Sequence, residues 1–291
     1  MAALYLRGAP RPFDVKRAGW VDVERALRLR APCISEASSV LRDGGLWAEA
    51  TALETPGLVE WSCSLFEKGG GHGTAQVLTA ADPAYPIRWL ERLGRSSPPA
   101  LWMEGEMPCC GMVAIVGSRS VSRAVLRFAS DCGTAAAAAG YAVVSGGAKG
   151  CDSAAVRNAS QGVVEVLPFG LNSVPARVRR AATAGRNGPF CRLSVCAPGE
   201  EFTTASAMER NALIYAMSEA AVIVHARFKQ GGTWHGSVDA HRRKLTRLVV
   251  REDPTSPAHR ALVGLGALTL KRPNHLQGVL DEPPIQAQLV C

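Results

Sequence analysis

From Val113 onward, short apolar runs alternate with segments of helix length, and no other feature of the sequence restricts the fold as much. The runs are MVAIVG, YAVVSGG, VVEVLPFG, FCRLSVC, AVIVHA and TRLVVR. They are apolar almost throughout, which marks strands covered on both faces. Between and after them SRAVLRFASDCGTAAAAAG, CDSAAVRNASQG, VPARVRRAATAG, ASAMERNALIYAMSEA, GTWHGSVDAHRRKL and SPAHRALVGLGA read as helices. Gly140 stands where the Ala-rich helix should stop, and Pro175 where another should start. Strand–helix repetition of this kind gives an α/β, doubly wound, mainly parallel sheet. Ligands of such sheets bind at the carboxyl edge, at the point where the winding reverses.

The rest of the chain is organised around that core. Residues 1–75 read as a small N-terminal helical domain, with VDVERALRLRA and EASSVLRDGGLWAEATALE as short amphipathic helices and GGGHG at 69–73 as a loop. Residues 76–108 read as a connector that packs on the core, an extended segment with one helix. The α/β domain spans 109–270, and 271–291, with Pro273, Pro283 and Pro284, reads as a loose tail.

Composition narrows the function classes. No apolar run approaches the ~18 residues of a membrane span, and the N-terminus lacks the apolar centre of a secretory signal, so the cytoplasm is expected. The nine cysteines include no C-x-x-C spacing, so no metal is expected. The net charge of +8 favours a polyanionic partner, although solubility alone also accounts for it.

Three strands end in a polar, glycine-containing turn that opens a helix. The first is Gly117-Ser118-Arg119. Free N–H groups at the helix start favour an anion, Ser118 adds a hydroxyl and Arg119 a planar cation suited to phosphate; alternatively, Ser118 merely caps the helix. The second is Gly146-Gly147-Ala148-Lys149-Gly150-Cys151-Asp152, whose amides form an anion nest beside the Lys149 charge, with Asp152 as a helix cap. The third runs through Lys229, Gly231, Gly232, Thr233 and Trp234. Thr233 caps the helix and donates to a phosphate. Trp234 either stacks on a base, worth ~1–3 kcal/mol, or packs under the sheet edge. His235 reads as an ordinary helix residue. In the helix before AVIVHA, Arg210 aimed at the switch point would hold a phosphate and Asn211 would read a base edge or sugar; a solvated helix face is the other reading.

The ordered set Asp82-Pro83-Ala84-Tyr85-Pro86 with PPALWMEG, then VAIVGSR, VVSGGAKGCDSAA, ERNALIYAMSEAAVIV and GGTWHGSVDA resembles the DprA/Smf family of DNA-processing proteins over about residues 76–251. The resemblance implies an extended Rossmann-like domain behind a small helical one, single-stranded DNA as ligand, a homodimer, and delivery of the strand to a recombinase, RecA. It places Ser118, Arg119, Gly147 and Lys149 in the DNA-phosphate pocket, with Gly117, Gly146 and Gly150 in the same turns. Arg210, Asn211 and Gly231 to Thr233 complete that pocket. Several positions depart from the family pattern. Gly147 stands for a usual Leu, Cys151 for Ile, Val156 for His, His225 for an acidic residue and Asn172 for Asp. The turn GGTW replaces SGSxxTA, and no typical winged-helix segment follows residue 270.

Two functions compete. The first is a non-catalytic binder of single-stranded DNA in DNA processing or recombination, without cofactor. The second is a nucleotide sensor or nucleotide hydrolase of the wider superfamily that includes the LOG phosphoribohydrolases, with phage defence as one setting. Those enzymes carry PGGxGTxxE; here Gly236 stands at the Glu position, and Asp239 lies a turn later. Hydrolysis needs a positioned acid or base. A dinucleotide dehydrogenase is disfavoured, because the first turn is not G-x-G-x-x-G and the second strand closes on Ser145.

Overall fold

The computed structural model describes residues 2–5, 20–30, 36–58, 60–61, 75–174 and 188–281. The chain divides into two compact units. One comprises Met1–Gly105, Phe169–Pro175 and Leu193–Phe202; the other comprises Glu106–Pro168, Ala176–Arg192 and Thr203–Cys291. The GGGHG loop, nearly all of the helix expected from Pro175, and residues 282–291 lie outside the described residues.

The first unit begins with the helices Ala2–Tyr5, Trp20–Arg30, Ala37–Asp43 and Trp47–Leu53. The third and fourth are separated by Gly44 and Gly45, where Gly45 takes a φ of 77°. Leu4, Tyr5, Trp20, Val23, Leu41 and Ala50 form its core. Strands β1 (Ala75–Thr79) and β2 (Ala100–Gly105) pair antiparallel, with the helix Ile87–Leu93 between them in sequence. The DPAYP segment is local scaffolding. The Asp82 carboxylate accepts from the Thr79 amide and hydroxyl, both at 2.6 Å, and Tyr85 donates to the Pro98 carbonyl.

The second unit holds β3 (Met112–Gly117), β4 (Ala142–Ser145), β5 (Val163–Leu167), most of β6 (Phe190–Ser194), β7 (Ala220–His225), β8 (Arg247–Arg251) and β9 (Leu268–Leu270). Their order is β6-β5-β4-β3-β7-β8-β9. From β5 to β9 every pairing is parallel. The stretch β5-β4-β3-β7-β8-β9 is the 3-2-1-4-5-6 order of a Rossmann fold, so the expected α/β class holds. Val113, Ile115, Val143, Val163, Val222 and Val249 are fully buried, as runs without polar alternation require. β9 was not anticipated, because LTL is too short to stand out as an apolar run. The segment read as a loose tail is folded as far as Asp281: Leu276–Asp281 is a helix, and Leu276 and Leu280 are buried in the core cluster.

The Ala-rich helix runs Arg123–Ala138. Ser122 caps its start by accepting from the Val125 amide at 3.4 Å. Gly140, with a φ of 82°, ends it in a Schellman turn: the amides of Tyr141 and Gly140 donate to Ala136 and Ala137 at 2.9 and 3.0 Å. Its buried stripe of Val125, Ala129, Cys132, Gly133, Ala136 and Ala137 keeps the helical period and consists mostly of small residues. The small side chains permit very close approach. A Cβ on Gly133 would lie 1.9 Å from the Ala155 carbonyl oxygen of the helix Cys151–Ala155. Among the described residues, no helix is long and apolar enough to cross a membrane.

The contact at Gly133 gives a stability test. In an open helix Gly→Ala gains ~1 kcal/mol of propensity. Here the added methyl meets backbone that cannot rotate away, and overpacking costs ~1–3 kcal/mol or more. Gly133→Ala is expected to lower the urea midpoint of the second unit; a raised midpoint would refute the close packing.

Candidate functional site

The turns after β3, β4 and β7 all belong to the second unit and leave the carboxyl edge of its sheet. β4 and β7 lie on either side of β3, so the winding reverses between β3 and β7, where ligands of such sheets bind.

The β3 turn is fixed from both sides. The Ser118 amide donates to the His225 carbonyl at 3.1 Å, and the Ser118 hydroxyl lies 2.9 Å from Nδ1 of His225. Ser118 does not cap the following helix; Ser122 does. On the other side, Cys151 fills the space where Gly117 would carry a side chain, and Gly150, at a φ of 89°, would drive a Cβ to 2.4 Å from the Arg119 carbonyl oxygen. The first two turns are therefore packed backbone to backbone, which only glycine allows. Burial pushes the Cys151 thiol up to about 12, so it stays protonated and acts as a small apolar residue.

The β4 turn differs from the expected open nest. Asp152 lies within the helix Cys151–Ala155 instead of capping it, and it is buried. Its carboxylate accepts from the Gly146 amide at 3.1 Å and also draws the amides of Ala148 and Gly117. The group that fills this nest is thus the protein's own side chain. Burial pushes the Asp152 carboxyl up, while the Arg210 charge and the three amides pull it back. Arg210 is buried as well, which contradicts a solvated helix face. It donates to the Val166 carbonyl at 3.1 Å and lies so close over Gly146 that a Cβ there would come within 1.6 Å of Nη1. Its Nε is buried without a hydrogen-bond partner. Arg210 therefore braces the turn from inside, whereas Gly147, Lys149 and Arg119 are exposed at the surface.

In the β7 turn the helix Gly231–Arg242 is capped at Gln230, not by Thr233. The Thr233 carbonyl accepts from Ser237, and Ser237 meets the Tyr215 hydroxyl at 3.0 Å. Asn211 donates to the Gly232 carbonyl at 3.2 Å, which joins the helix Thr204–Met217 to this turn. Gly231 and Gly232 are exposed, and Thr233 is half-buried. Trp234 is only 9% exposed and meets Phe228 edge-on, with centroids 5.0 Å apart. Packing is therefore the reading of Trp234 that holds, and no base reaches it in this arrangement.

Three participants had no signal in the turn motifs: His225, Arg251 and Phe228. Arg251 donates to the Val224 carbonyl at 3.0 Å and pairs with Asp253 at 2.7 Å. His259 lies 2.8 Å from the Arg251 carbonyl through Nδ1, and its ring stands edge-on to His225 at 6.2 Å. Position 225 was visible as a family departure, but its link to Ser118 depends on strands far apart in sequence.

The profile of the DNA recombination-mediator protein A family matches residues 76–276, more than half of the chain. The chain belongs to that family. Solved structures of DNA processing protein A (DprA) agree in fold. DprA from Streptococcus pneumoniae aligns with a TM-score of 0.69 at 16% identity, over 92% of this chain and 94% of that one. DprA from Helicobacter pylori aligns with a TM-score of 0.59 at 23% identity, over 70% of this chain and 95% of that one; its structure is described for its single-stranded DNA binding mode. No curated protein matches this chain in sequence. Within the family match, the Asp152–Arg210 arrangement and the three turns occupy the Rossmann core, and DPAYP opens the matched region.

The histidines make the stability of this family member depend on pH. Burial holds both His225 and His259 below the ordinary value of 6.5, and the Arg251 charge lowers them further. The folded protein refuses protons that the unfolded chain accepts just below 6.5. Stability therefore falls as pH drops through that value, by up to ~1.4 kcal/mol per pH unit for the buried His259 and by less for the half-exposed His225, which solvent screens. His259→Gln is expected to flatten the decline in thermal midpoint between about pH 7.5 and 5.5; an unchanged slope would show that His259 is not held neutral.

Proposed function

We propose that this chain is a non-catalytic binder of single-stranded DNA that serves DNA processing, with the strand's phosphates held at the glycine turns of the carboxyl edge. The observation that carries this reading is the division of charge at the site. Asp152 and Arg210 are buried and hold the backbone, while Arg119 and Lys149 stand exposed on the adjoining β3 and β4 turns of the carboxyl edge. Exposed cations on a rigid, glycine-lined edge suit phosphate diesters, and the net charge of +8 adds long-range attraction. Family membership supports the same reading, as does the single-strand binding described for the Helicobacter pylori relative.

The nucleotide-hydrolase alternative requires an acid or base positioned toward the bound phosphate. The carboxylates near the turns are engaged. Asp152 accepts backbone amides, Glu165 pairs with buried Arg192 at 3.0 Å, and Asp239 pairs with Arg242 and Arg243 at 2.6 and 3.3 Å. This favours binding over hydrolysis. Action as a homodimer in the cytoplasm and delivery of the strand to a RecA-type recombinase belong to the same proposal.

Fluorescence anisotropy with a labelled oligo-dT strand across a salt series, against duplex and mononucleotides, tests it. The wild type is expected to prefer the single strand and to weaken with salt. Arg119→Ala and Lys149→Ala are each expected to weaken binding for every sequence and to reduce the salt slope by about 0.7 per lost phosphate contact. Unchanged affinity in both variants would overturn the phosphate assignment, and binding of mononucleotide alone would favour the sensor or hydrolase.

A further inference from the structure

The loop between β7 and the helix Gly231–Arg242 carries an exposed aromatic ring that the turn motifs do not explain. Phe228 is 41% exposed, although it sits beside the proposed phosphate turn and not on an outer helix face. A single exposed apolar side chain is ordinary on a protein surface, so what marks this ring is its position beside the turn. The ring is also held in place. Trp234, buried beneath, meets it edge-on at 5.0 Å and 71°, one of the arrangements aromatic pairs prefer. The loop closes on itself through the Arg227–Gln230 bridge, with the Gln230 amide donating to the Arg227 carbonyl at 3.1 Å.

Cations flank the ring. Arg227 and Lys229 are both exposed, and the Lys229 ammonium lies over the Phe228 ring, 5.3 Å from its centroid, so a base stacks there only as this flexible side chain swings from the ring to a flanking phosphate. Lys229 takes a φ of 56°, a conformation a non-glycine residue adopts only when its surroundings impose it. One short loop thus presents a fixed aromatic ring with a positive charge on either side of it in sequence. An unpaired nucleotide offers the complementary features, a π face and phosphates on both sides. A duplex does not, because its bases are already stacked on one another.

We infer that Phe228 is the platform on which an unpaired base of single-stranded DNA stacks, with Arg227 and Lys229 taking the phosphates that flank that base. The inference rests on the DNA-binding reading above and adds to it a base subsite next to the Gly231–Gly232 turn. Trp234 is then the buttress that fixes the platform, which accounts for a tryptophan being buried at the place where the sequence suggested a stacking residue.

The test compares two labelled strands of equal length, oligo-dT and an all-abasic strand with the same backbone, bound to the full chain over one salt series. Phe228→Ala is expected to weaken oligo-dT binding roughly ten-fold, to leave the abasic strand unchanged, and to keep the salt slope, since stacking releases no counterions. Phe228→Trp keeps a π face and is expected to bind oligo-dT at least as well as the wild type, which also controls for folding. Equal losses on both strands would make Phe228 a brace for the loop and overturn the inference, as would no loss on either. Both of those outcomes leave the phosphate reading intact. A wild type that binds neither strand would remove that reading, and this inference with it.

Discussion

The buried carboxylate of Asp152 is the interaction on which the site depends. It draws the amides of Gly117, Gly146 and Ala148 from two different turns toward one point, and Arg210 stands beside it inside the protein. Removing a carboxylate from water costs several kcal/mol, and hydrogen bonds to a charged acceptor return ~1.5–3 kcal/mol each. The consequence of Asp152 is order: loops that would otherwise sample many backbone states are held in one.

That order separates the groups that build the edge from the groups that face solvent. Arg210, Asn211, Ser237, Tyr215 and Trp234 lie inward or bridge elements, and each fixes a turn from behind. Arg119, Lys149, Arg227 and Lys229 remain exposed on the turns so fixed. Exposed cations along an open edge suit a polymer of phosphates, since each phosphate can meet a separate charge. His225 joins β7 to the β3 turn through Ser118.

The fold was largely legible. Unbroken apolar runs require burial on both faces, and helices between them supply that cover, so the parallel sheet follows from local pattern. β9 and the helix Leu276–Asp281 were not legible, because their short segments become ordered only against a core that already exists. At the site, glycines mark the three turns in the sequence, but residue type alone does not assign the roles within them. Ser118, Asp152 and Thr233 each have the residue type of a helix cap, and none of the three acts as one, since Ser122 caps the Ala-rich helix and the N-cap positions of the other two helices fall on Gly150 and Gln230.

The sequence by itself determined the element order, the position of the glycine turns and the family, since these depend on residue type and spacing along the chain. Only the tertiary structure decided which polar groups are engaged and which remain exposed. Whether Arg210 faces water or Asp152, whether the amides of the β4 turn await a ligand or already hold a carboxylate, and whether Trp234 or Phe228 meets solvent all depend on neighbours from other strands. Local sequence carries no record of those neighbours, because contacts between distant segments exist only once the sheet has brought their ends to one edge.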